Sequence, residues 1–409
     1  MKIAIVGSGV SGLVCAHLLA PRHDVVLFEA DRRTGGHVHT VDVGSTAVDT
    51  GFIVFNRKTY PNFVRLLERL GVASQESEMS FSVRSDRRDL EYAGSGLGTL
   101  YAQRRNLLSP RFHRMVLDVL RFYREARALV VEGPEVELVA WLHERGYSQA
   151  FVEDHILPMV GAVWSASREG ARSFPARFLA RFFDNHGFLD VSGRPRWLTV
   201  RGGSRAYVRA ILDGFRGEVR AGCPVRSIRR EEGAVVVRPL EGAAERFDHA
   251  IVACHADQAA RLLEDPSPAE REILAAFPYR ANDVLLHGDE AVMPRLRRTW
   301  SSWNYHLDDD SRAGASVTYW MNRLQRLPEE HQYFVTLNRG EAVRPERVHR
   351  RLVYEHPVFT AEGVGAQARH SELVDHRRTS YCGAYWRNGF HEDGVVSALR
   401  VCERFEASL

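Results

Sequence analysis

Residues 2–29, KIAIVGSGVSGLVCAHLLAPRHDVVLFE, carry the pattern that decides the fold. Residues 2–6 are a short apolar, β-branched run that predicts a buried strand, and residues 25–29 predict a second strand that ends in an acid. Residues 13–19 between them predict a helix, and the glycine-rich segment GSGVSG joins the first strand to it. This order of strand, turn, helix and strand indicates a dinucleotide-binding unit.

The three glycines of that loop each have a separate physical reason. Gly7 permits a tight turn, Gly9 lets the backbone approach a pyrophosphate, and Gly12 lets the helix pack closely on the strand. The start of the helix offers unpaired N–H groups and a partial positive charge to phosphates. Glu29 ends the second strand, where a carboxylate accepts hydrogen bonds from ribose hydroxyls. The whole unit favours a nucleotide site over a turn with accidental glycines.

Two further glycine motifs follow the second strand. Residues 33–37 read RTGGH, and residues 49–52 read DTGF. Adjacent glycines allow the backbone to come close to a ligand. The first motif alone does not separate FAD from NAD, and these later segments indicate FAD.

With these motifs the sequence resembles the flavin-containing amine oxidase and phytoene desaturase superfamily. The resemblance implies an α/β fold, in which a Rossmann-like FAD-binding domain of the amine oxidase type carries an inserted α+β substrate domain. In that superfamily the second glycine pair contacts the flavin phosphates and the ribityl chain. Many members have Arg after the pair, whereas this chain has His37, a departure from a standard amine oxidase. No cysteine motif suggests covalent attachment, so we expect FAD to be held non-covalently.

The resemblance extends along most of the chain and supplies further cofactor contacts. Residues 221–228 resemble the strand whose valine backbone holds the adenine, and residues 247–255 resemble the following strand, which ends near the ADP. Residues 381–384 resemble the C-terminal flavin motif, and residues 389–398 resemble the segment whose helix start faces the flavin ring. Such a helix start can stabilise the negative charge of a reduced flavin. Motif and resemblance together predict these cofactor-binding residues: Gly7, Gly9, Val10, Ser11, Gly12, Glu29, Ala30, Arg33, Gly35, Gly36, His37, Thr50, Gly51, Phe52, Val225, Ala253, Gly383, Asp393, Gly394, Val395 and Ser397.

Several short strings resemble a narrower, bacterial branch of the superfamily. They are WNY at 303–305, YWMN at 319–322, TLN at 336–338, HP at 356–357 and GFHED at 389–393. That branch is associated with the modification of unsaturated, cyclopropane or methyl-branched fatty acyl chains. The resemblance therefore implies desaturation, or redox-neutral isomerisation, of an apolar carbon chain, with oxygen or a quinone as the expected acceptor of electrons.

Four residues are candidates for a direct part in the chemistry. Because hydride transfer belongs to the flavin, the protein has to position a C–H bond and, in some reactions, remove a proton. His391 and Glu392 precede the last predicted helix and are candidates for a proton acceptor or polar contact, with bracing of the loop as the alternative. Tyr385 and Trp386 are candidates for a wall beside the flavin, with a place in the core as the alternative.

Aromatic residues concentrate in one later segment. It contains Trp300, Trp303, Tyr305, Tyr319 and Trp320. These side chains favour either the lining of a substrate tunnel or one packed face of a sheet, because aromatic residues are common in strands. Trp164 follows a predicted helix and is a further candidate to reach the cleft.

The length and hydrophobic content of the chain favour two domains. It has 409 residues, 44% of them hydrophobic, which is too long for one ordinary core. We expect a discontinuous FAD-binding domain of residues 1–60, 195–260 and 370–409. Residues 61–194, which look mostly helical, and residues 261–369 would form the substrate-binding domain.

Charge and cysteine usage exclude other classes. A formal net charge of +3 argues against a nucleic-acid partner, and five dispersed cysteines without C-x-x-C suggest neither a metal site nor a dithiol motif. Residues 1–6 run directly into a strand, so we expect no signal peptide. We expect a cytoplasmic protein with a small, lipid-like substrate. The Arg-rich segment 104–127 is either a solvated helix face or a basic patch for peripheral contact with the inner face of the membrane.

Two rival functions remain at this stage. An oxidase of amines or porphyrinogens would share the fold and would be reduced by those compounds. A non-catalytic flavin-binding partner protein would hold a flavin that no substrate reduces.

Overall fold

The computed structural model describes residues 1–131, 135–190, 193, 195–307 and 314–409. Its strands, in chain order, are β1 Lys2–Val6, β2 Asp24–Glu29, β3 Thr40–Val43, β4 Thr46–Asp49, β5 Phe55–Asn56, β6 Ser74–Glu76, β7 Phe81–Ser85, β8 Leu90–Ala93, β9 Trp197–Val200, β10 Glu218–Ala221, β11 Val225–Glu231, β12 Ala234–Pro239, β13 Glu245–Phe247, β14 His249–Val252, β15 Tyr279–His287, β16 Trp303–Leu307, β17 Val317–Trp320, β18 Phe334–Leu337, β19 Val348–Pro357 and β20 Thr379–Tyr381.

The α-helices, in chain order, are α1 Val10–Leu19, α2 Pro61–Arg69, α3 Leu97–Leu100, α4 Pro110–Val131, α5 Leu138–Glu144, α6 Gln149–Phe151, α7 Leu157–Trp164, α8 Arg168–Arg172, α9 Ala176–Asn185, α10 Arg205–Asp213, α11 Ala256–Leu262, α12 Pro268–Ala275, α13 Met321–Gln325, α14 Ala361–Gln367 and α15 His391–Glu403. A π-helical turn, Val152–Ile156, connects α6 to α7. No described helix has the length and apolar character needed to cross a membrane.

A five-stranded parallel sheet organises the N-terminal motif. Its strand order is β10-β2-β1-β14-β20, and every neighbouring pair is parallel. Helices α1, α2, α10 and α15 pack on one face, and α11 and α12 pack on the other. Both faces are therefore covered, which explains why β1 and β14 are continuous apolar runs rather than alternating ones. The α/β fold with a Rossmann-like sheet is confirmed.

A second, seven-stranded sheet has the order β19-β15-β18-β17-β16-β7-β8. All of its pairs are antiparallel except β16 with β7. Beside it, helices between α4 and α9 enclose an aromatic core that contains Phe122, Phe151, Phe174 and Phe182. This helical layer and the sheet together form the walls of the cavities described below.

The structure differs from the sequence prediction at four strands. Strands β6, β7 and β8 lie inside the segment 61–194, which was expected to be mostly helical, and β7 is held by pairing with β16 far along the chain. Strand β19 was not predicted because its sequence, VHRRLVYEHP, contains two arginines and a glutamate and lacks apolar alternation. It pairs with β15 along its whole length at the edge of the sheet. The domain limits stay a prediction, although α2, placed in the substrate domain, shares one core with α1 and α15.

Candidate active site

A cavity of about 700 Å³ lies at the carboxyl ends of β1, β2 and β14 and at the start of α1. We call it the cofactor cavity. Gly7, at φ +104°, has no space for a side chain, because a Cβ would lie 2.9 Å from the carbonyl of Ala253. A Cβ on Gly12 would lie 1.9 Å from the Gly7 oxygen, so the helix could not pack on the loop. A Cβ on Gly9 would meet nothing within 4 Å, which shows that its backbone faces open space.

Glu29 is held rigidly at the end of β2. One carboxylate oxygen accepts hydrogen bonds from the backbone N–H and the hydroxyl of Ser8, at 2.9 and 2.5 Å. The other accepts from the backbone N–H of Asp31 at 2.9 Å. Because each carboxylate oxygen can accept two hydrogen bonds, acceptor capacity remains on the side that lines the cavity.

The second glycine pair folds against the first loop. Gly35 and Gly36 have φ of +114° and +57°, and the Gly35 N–H donates to the Ser8 carbonyl at 3.1 Å. The Arg33 guanidinium donates to the carbonyls of Val38 and Gly36, each at 2.7 Å. Arg33 therefore holds this loop closed as well as lining the cofactor cavity.

Several buried polar atoms on the cavity wall lack a hydrogen-bond partner among the described residues. Nε2 of His37 and the hydroxyl of Tyr385 are buried, with no hydrogen-bond partner among the described residues. Burial, with the imidazoles of His356 and His255, lowers the pKa of His37 well below its ordinary value, so its ring is neutral near pH 7. Such orphaned groups inside a glycine-lined cleft at a helix start fit an elongated polar cofactor such as FAD.

Helix α15 brings the C-terminal motif against the N-terminal loop. A Cβ on Gly394 would lie 2.6 Å from Val10 Cγ1, and the Ser11 hydroxyl donates to the Gly394 carbonyl at 2.8 Å. The Gly383 N–H donates to the Ser397 hydroxyl at 2.9 Å. These residues position the segments that surround the cofactor cavity.

Asp393 caps the start of α15. It accepts from the Phe390 N–H at 2.9 Å, and burial raises the pKa of Asp393 to about 6. Asp393 is thus the N3 residue of a capping box that fixes the start of α15.

The predicted cofactor residues fall into two groups. Those that line the cofactor cavity are Gly7, Gly9, Val10, Ser11, Glu29, Ala30, Arg33, Gly35, Gly36, His37, Val225, Ala253 and Gly383. Those that line a neighbouring cavity or support the lining from behind are Gly12, Thr50, Gly51, Phe52, Asp393, Gly394, Val395 and Ser397.

An apolar passage continues from the cofactor cavity. The inner cavity, of about 220 Å³, has walls in common with it at His37, Tyr354, His356, Phe390 and His391 among others. An outer cavity of about 540 Å³ then has walls in common with the inner one at a ring of side chains: Met79, Val163, His186, Phe188, Trp197 and Trp303. The three cavities therefore adjoin one another, and each has lining side chains in common with the next.

His391 lies where the cofactor cavity meets the inner cavity. Its ring stacks on Phe52 with centroids 3.5 Å apart and an interplanar angle of 10°, and its Nε2 is 2.9 Å from the Tyr207 hydroxyl. Burial lowers the pKa of His391 to about 3, so the imidazole is neutral. This neutral ring is a wall and a hydrogen-bonding group at the junction.

Glu392 is not one of the residues that line these three cavities. Its carboxylate accepts from the N–H of Asn62 at 3.1 Å, the Asn62 side-chain amide at 2.7 Å and the N–H of Phe63 at 2.9 Å. The carboxylate thus accepts hydrogen bonds from N–H groups at the start of α2, where the helix itself provides no acceptor for the backbone donors. This corrects the expectation of a proton acceptor beside the flavin.

The neighbouring residues Tyr385 and Trp386 have different surroundings in the structure. Tyr385 lines the cofactor cavity, whereas Trp386 stacks on His370 at 4.1 Å and belongs to the core beneath the parallel sheet. The candidate wall role of Trp386 is therefore corrected to a packing role.

The aromatic segment also divides between two faces. Trp303, Tyr319 and Trp164 line the inner cavity. Trp300 and Trp320 instead pack edge to face, 5.3 Å apart, away from it. Some aromatic residues of the segment therefore line a cavity, and others pack against one another in the sheet, so each of the two expected roles is found.

Other lining residues were missed by sequence reasoning. Tyr354 and His356 come from β19, which was not predicted as a strand, and Met79 comes from the short segment before β7. The string HP at 356–357 contributes to the resemblance to the bacterial branch, but nothing in it indicates a position beside the cofactor.

The inner cavity is uncharged near neutral pH. Its lining contains no Asp, Glu, Lys or Arg side chain among the described residues. Burial lowers the pKa of both His186 and His356 to about 4, which keeps their imidazoles neutral. Within the described chain no cluster of His, Cys, Asp and Glu could hold a metal ion. The passage thus suits an apolar group.

Comparisons with known proteins agree with this geometry. Residues 10–405 match the model of the flavin-containing amine oxidoreductase family. Protoporphyrinogen oxidase 2, chloroplastic/mitochondrial, from Arabidopsis thaliana is 26% identical over 182 residues, which are 42% of this chain but only 35% of that protein.

Solved structures show the same fold over nearly the whole chain. The cyclohexylamine oxidase of Brevibacterium oxydans IH-35A superposes with a TM-score of 0.72 at 14% identity, over 99% of both chains. A CLA-producing fatty acid isomerase from P. acnes superposes with a TM-score of 0.69 at 15% identity, over 98% of both chains. Likeness at this identity defines the fold alone.

Proposed function

This chain belongs to the flavin-containing amine oxidoreductase family and is an FAD-dependent oxidoreductase, and we propose that it desaturates or isomerises an apolar acyl chain. The observation that carries the proposal is the pair of adjoining cavities, inner and outer, that lie next to the cofactor cavity. Aromatic and aliphatic side chains dominate the inner part. An extended hydrocarbon chain fits such a space better than a compact polar molecule.

The charge distribution along the passage supports an apolar group at the cofactor end. Moving a charged group into a site without a partner costs several kcal/mol, and the inner cavity offers none. At the outer cavity, by contrast, the lining includes Glu76, Glu78 and Arg196. Glu76 and Glu78 are ion-paired with Arg326 and Arg323, whereas Arg196 has no ion pair with a described residue. A carboxylate or phosphate head group would therefore lie at the outer end, beside Arg196.

The protein's own part would be to position the chain and exclude water. FAD supplies the hydride acceptor. His391 and His356 contribute neutral rings at the junction, and Trp164, Trp303 and Tyr319 narrow the inner cavity. The Trp164 ring is fixed because its N–H donates to the Asn388 carbonyl at 3.1 Å. In a desaturation one carbon of the chain would lose a hydride to FAD, and the neutral imidazole of His391 or His356 would take the proton that leaves the neighbouring carbon. In an isomerisation the hydride would return to the chain at another carbon, and no net acceptor would be needed.

The rival substrates of this family fit the passage less well. A protonated amine would enter an inner cavity without a carboxylate among the described residues. A tetrapyrrole with acidic side chains would find no cation there, and the cavity of about 220 Å³ is narrow for a macrocycle. A fatty acid isomerase among the structural neighbours has the same fold, which makes the acyl reading compatible with this architecture.

The first test mixes the purified yellow protein, without oxygen, with phospholipids or free acids that bear unsaturated or methyl-branched chains. Amines and a porphyrinogen are the parallel arms. We expect bleaching of the visible flavin band with the lipids, or a shifted double bond by mass analysis without bleaching. Bleaching with amines or porphyrinogen alone would overturn the acyl proposal, and no change in any arm would favour a flavin that does not turn over.

Narrowing the passage gives a sharper test. Met79 lies where the inner and outer cavities meet, on a segment between strands, so Met79→Trp should fill the junction with little effect on the core. We expect KM for long chains to rise at least about tenfold, which corresponds to about 1.4 kcal/mol. Met79→Leu, which conserves volume, is the matched control and should resemble the wild type. Equal kinetics in both variants would show that the substrate does not use this route.

A further inference from the structure

Exposed leucines are concentrated on one face of the helical layer. Among the large hydrophobic residues that are exposed, Leu107, Leu108, Leu117 and Leu120 come from one short segment, and Leu108 and Leu117 are 88% and 62% exposed. Single exposed leucines are ordinary, but a group of them marks a contact surface.

The fold brings these leucines together. Leu107 and Leu108 lie in the 3₁₀ turn Arg104–Leu108, whose Leu107 carbonyl is 2.9 Å from Nε2 of His113 on α4. Leu117 follows His113 by one helical turn, and Leu120 follows Leu117 by three positions, so they continue the same side of α4. The turn and the helix therefore present one joined apolar surface.

Arginines surround this surface. Arg104, Arg114, Arg121 and Arg124 lie in the same turn and on the outer side of α4. We call the four leucines and four arginines the leucine–arginine face. The carboxylates of α4 are already engaged: Asp118 is buried and pairs with Arg114, and Glu125 pairs with Arg121. Arg104 and Arg124 have no ion pair with any described residue, so the face carries excess positive charge.

The opposite side of α4 belongs to the passage. Phe122 is two positions after Leu120 and so lies on the other side of the helix, where it is buried and lines the outer cavity. A single helix thus has its outer side on the leucine–arginine face and its inner side on the cavity.

We propose that the leucine–arginine face docks the protein on an anionic lipid bilayer. Leucines beside arginines on one helix face are the composition of interfacial helices, since the apolar side chains enter the head-group region while the guanidinium groups pair with phosphates. This proposal goes beyond the proposed function, because it needs no chemistry at the flavin. Docking here would place α4, and with it the outer cavity, next to a source of acyl chains.

Vesicle flotation of the FAD-loaded protein tests the proposal. We expect binding to vesicles that contain phosphatidylglycerol, weak binding to pure phosphatidylcholine, and a loss of binding at high salt. The double variant Arg104→Glu with Arg124→Glu should bind these vesicles more weakly, by at least about fivefold for each arginine replaced. This factor corresponds to the attraction of about 1 kcal/mol between one basic residue and an anionic membrane surface. Leu108→Ser with Leu117→Ser should reduce binding even at low salt.

Leu240→Ser is the matched control, because Leu240 is 59% exposed but lies at the end of β12. Equal flotation of all variants, or no binding by the wild type, would overturn the proposal. A wild-type dimer that becomes a monomer in Leu108→Ser with Leu117→Ser, without vesicle binding, would assign the face to self-association instead. Met79→Trp should still float, so failure of the acyl proposal and failure of membrane docking can be told apart.

Discussion

Glu392 illustrates how a carboxylate near a flavin motif can serve a helix instead of the reaction. Its two oxygens take three N–H donors at the start of α2, at 2.7 to 3.1 Å, and its side chain is buried. A carboxylate at a helix start is also favoured by the helix dipole. The residue thus joins the last helix, α15, to α2.

We expect Glu392→Ala to lower the stability of the protein. Removal of the carboxylate leaves the buried N–H of Phe63 and the half-buried N–H groups of Asn62 without acceptors, at a cost of about 2–3 kcal/mol. The midpoint of thermal unfolding should fall, while the rate of flavin reduction per bound FAD stays close to that of the wild type. Glu392→Gln keeps one acceptor oxygen and should lose less. A variant of normal stability with abolished flavin reduction would restore the catalytic role.

The residues of the cofactor motif could be predicted because each meets a local geometric need. Gly12 is required by a contact of 1.9 Å with the Gly7 oxygen in the same loop, and Gly7 is required by its positive φ in the turn, so both requirements can be recognised from neighbouring positions in the sequence. His356 and Met79 could not be found in this way. They reach the cavities only because β19 pairs with β15 and β7 pairs with β16, partners that are distant in sequence.

At the level of elements, the decisive contact is between α1 and α15, which lie at opposite ends of the chain. Ser11 donates to the Gly394 carbonyl, and Cys15, Val395 and Ala398 share one buried core. The closing helix was predicted to start at Gly394, but it begins at His391, so Gly394 lies inside its first turn. That position brings its backbone against Val10 and Ser11, where a side chain has no room.

Gly394→Ala should therefore weaken FAD binding. The new Cβ would lie 2.6 Å from Val10 Cγ1 and 3.0 Å from Ser11 Oγ, so α15 has to move away from the glycine loop. Overpacking of this kind costs about 1–3 kcal/mol, and we expect the Kd for FAD to rise about tenfold or more. Gly365→Ala, within α14 and with no atom within 4 Å of the new Cβ, is the control and should leave FAD binding unchanged. Equal flavin content of the two variants would contradict the argument.

At the scale of the whole molecule, buried neutral histidines set the response to acid. Burial lowers the pKa of His155, His287 and His370 to about 4. Geometry agrees for His287, whose Nδ1 accepts the Asp289 N–H at 3.1 Å and so cannot carry a proton. His155 lies in the helical layer, His287 in the seven-stranded sheet and His370 beside the parallel sheet. The effect of acid on stability therefore concerns the entire fold.

The sign of the effect follows from proton binding. Between pH 6.5 and about 4 the unfolded chain protonates these imidazoles while the folded protein does not, so stability is full above pH 6.5 and falls as the pH decreases. Each such histidine lowers the free energy of unfolding by up to about 3 kcal/mol once the pH reaches its folded-state pKa. Asp49 and Asp393 act in the opposite direction, because burial raises the pKa of both to about 6. The histidines with a lowered pKa outnumber them, so their effect dominates.

We expect the midpoint of thermal unfolding to be nearly constant above pH 7 and to fall steadily between pH 6.5 and 4.5. His287→Gln should make that fall less steep, because one proton fewer is taken up on unfolding. His143→Gln, at an exposed position of α5, is the control and should leave the slope as in the wild type. Because hydrogen bonds of His287 to Thr336 and Asp289 are lost, the variant will also be less stable at every pH. The slope, rather than the absolute midpoint, is therefore the quantity to compare, and a slope unchanged by His287→Gln would show that this imidazole is not the buried neutral group inferred from its contacts.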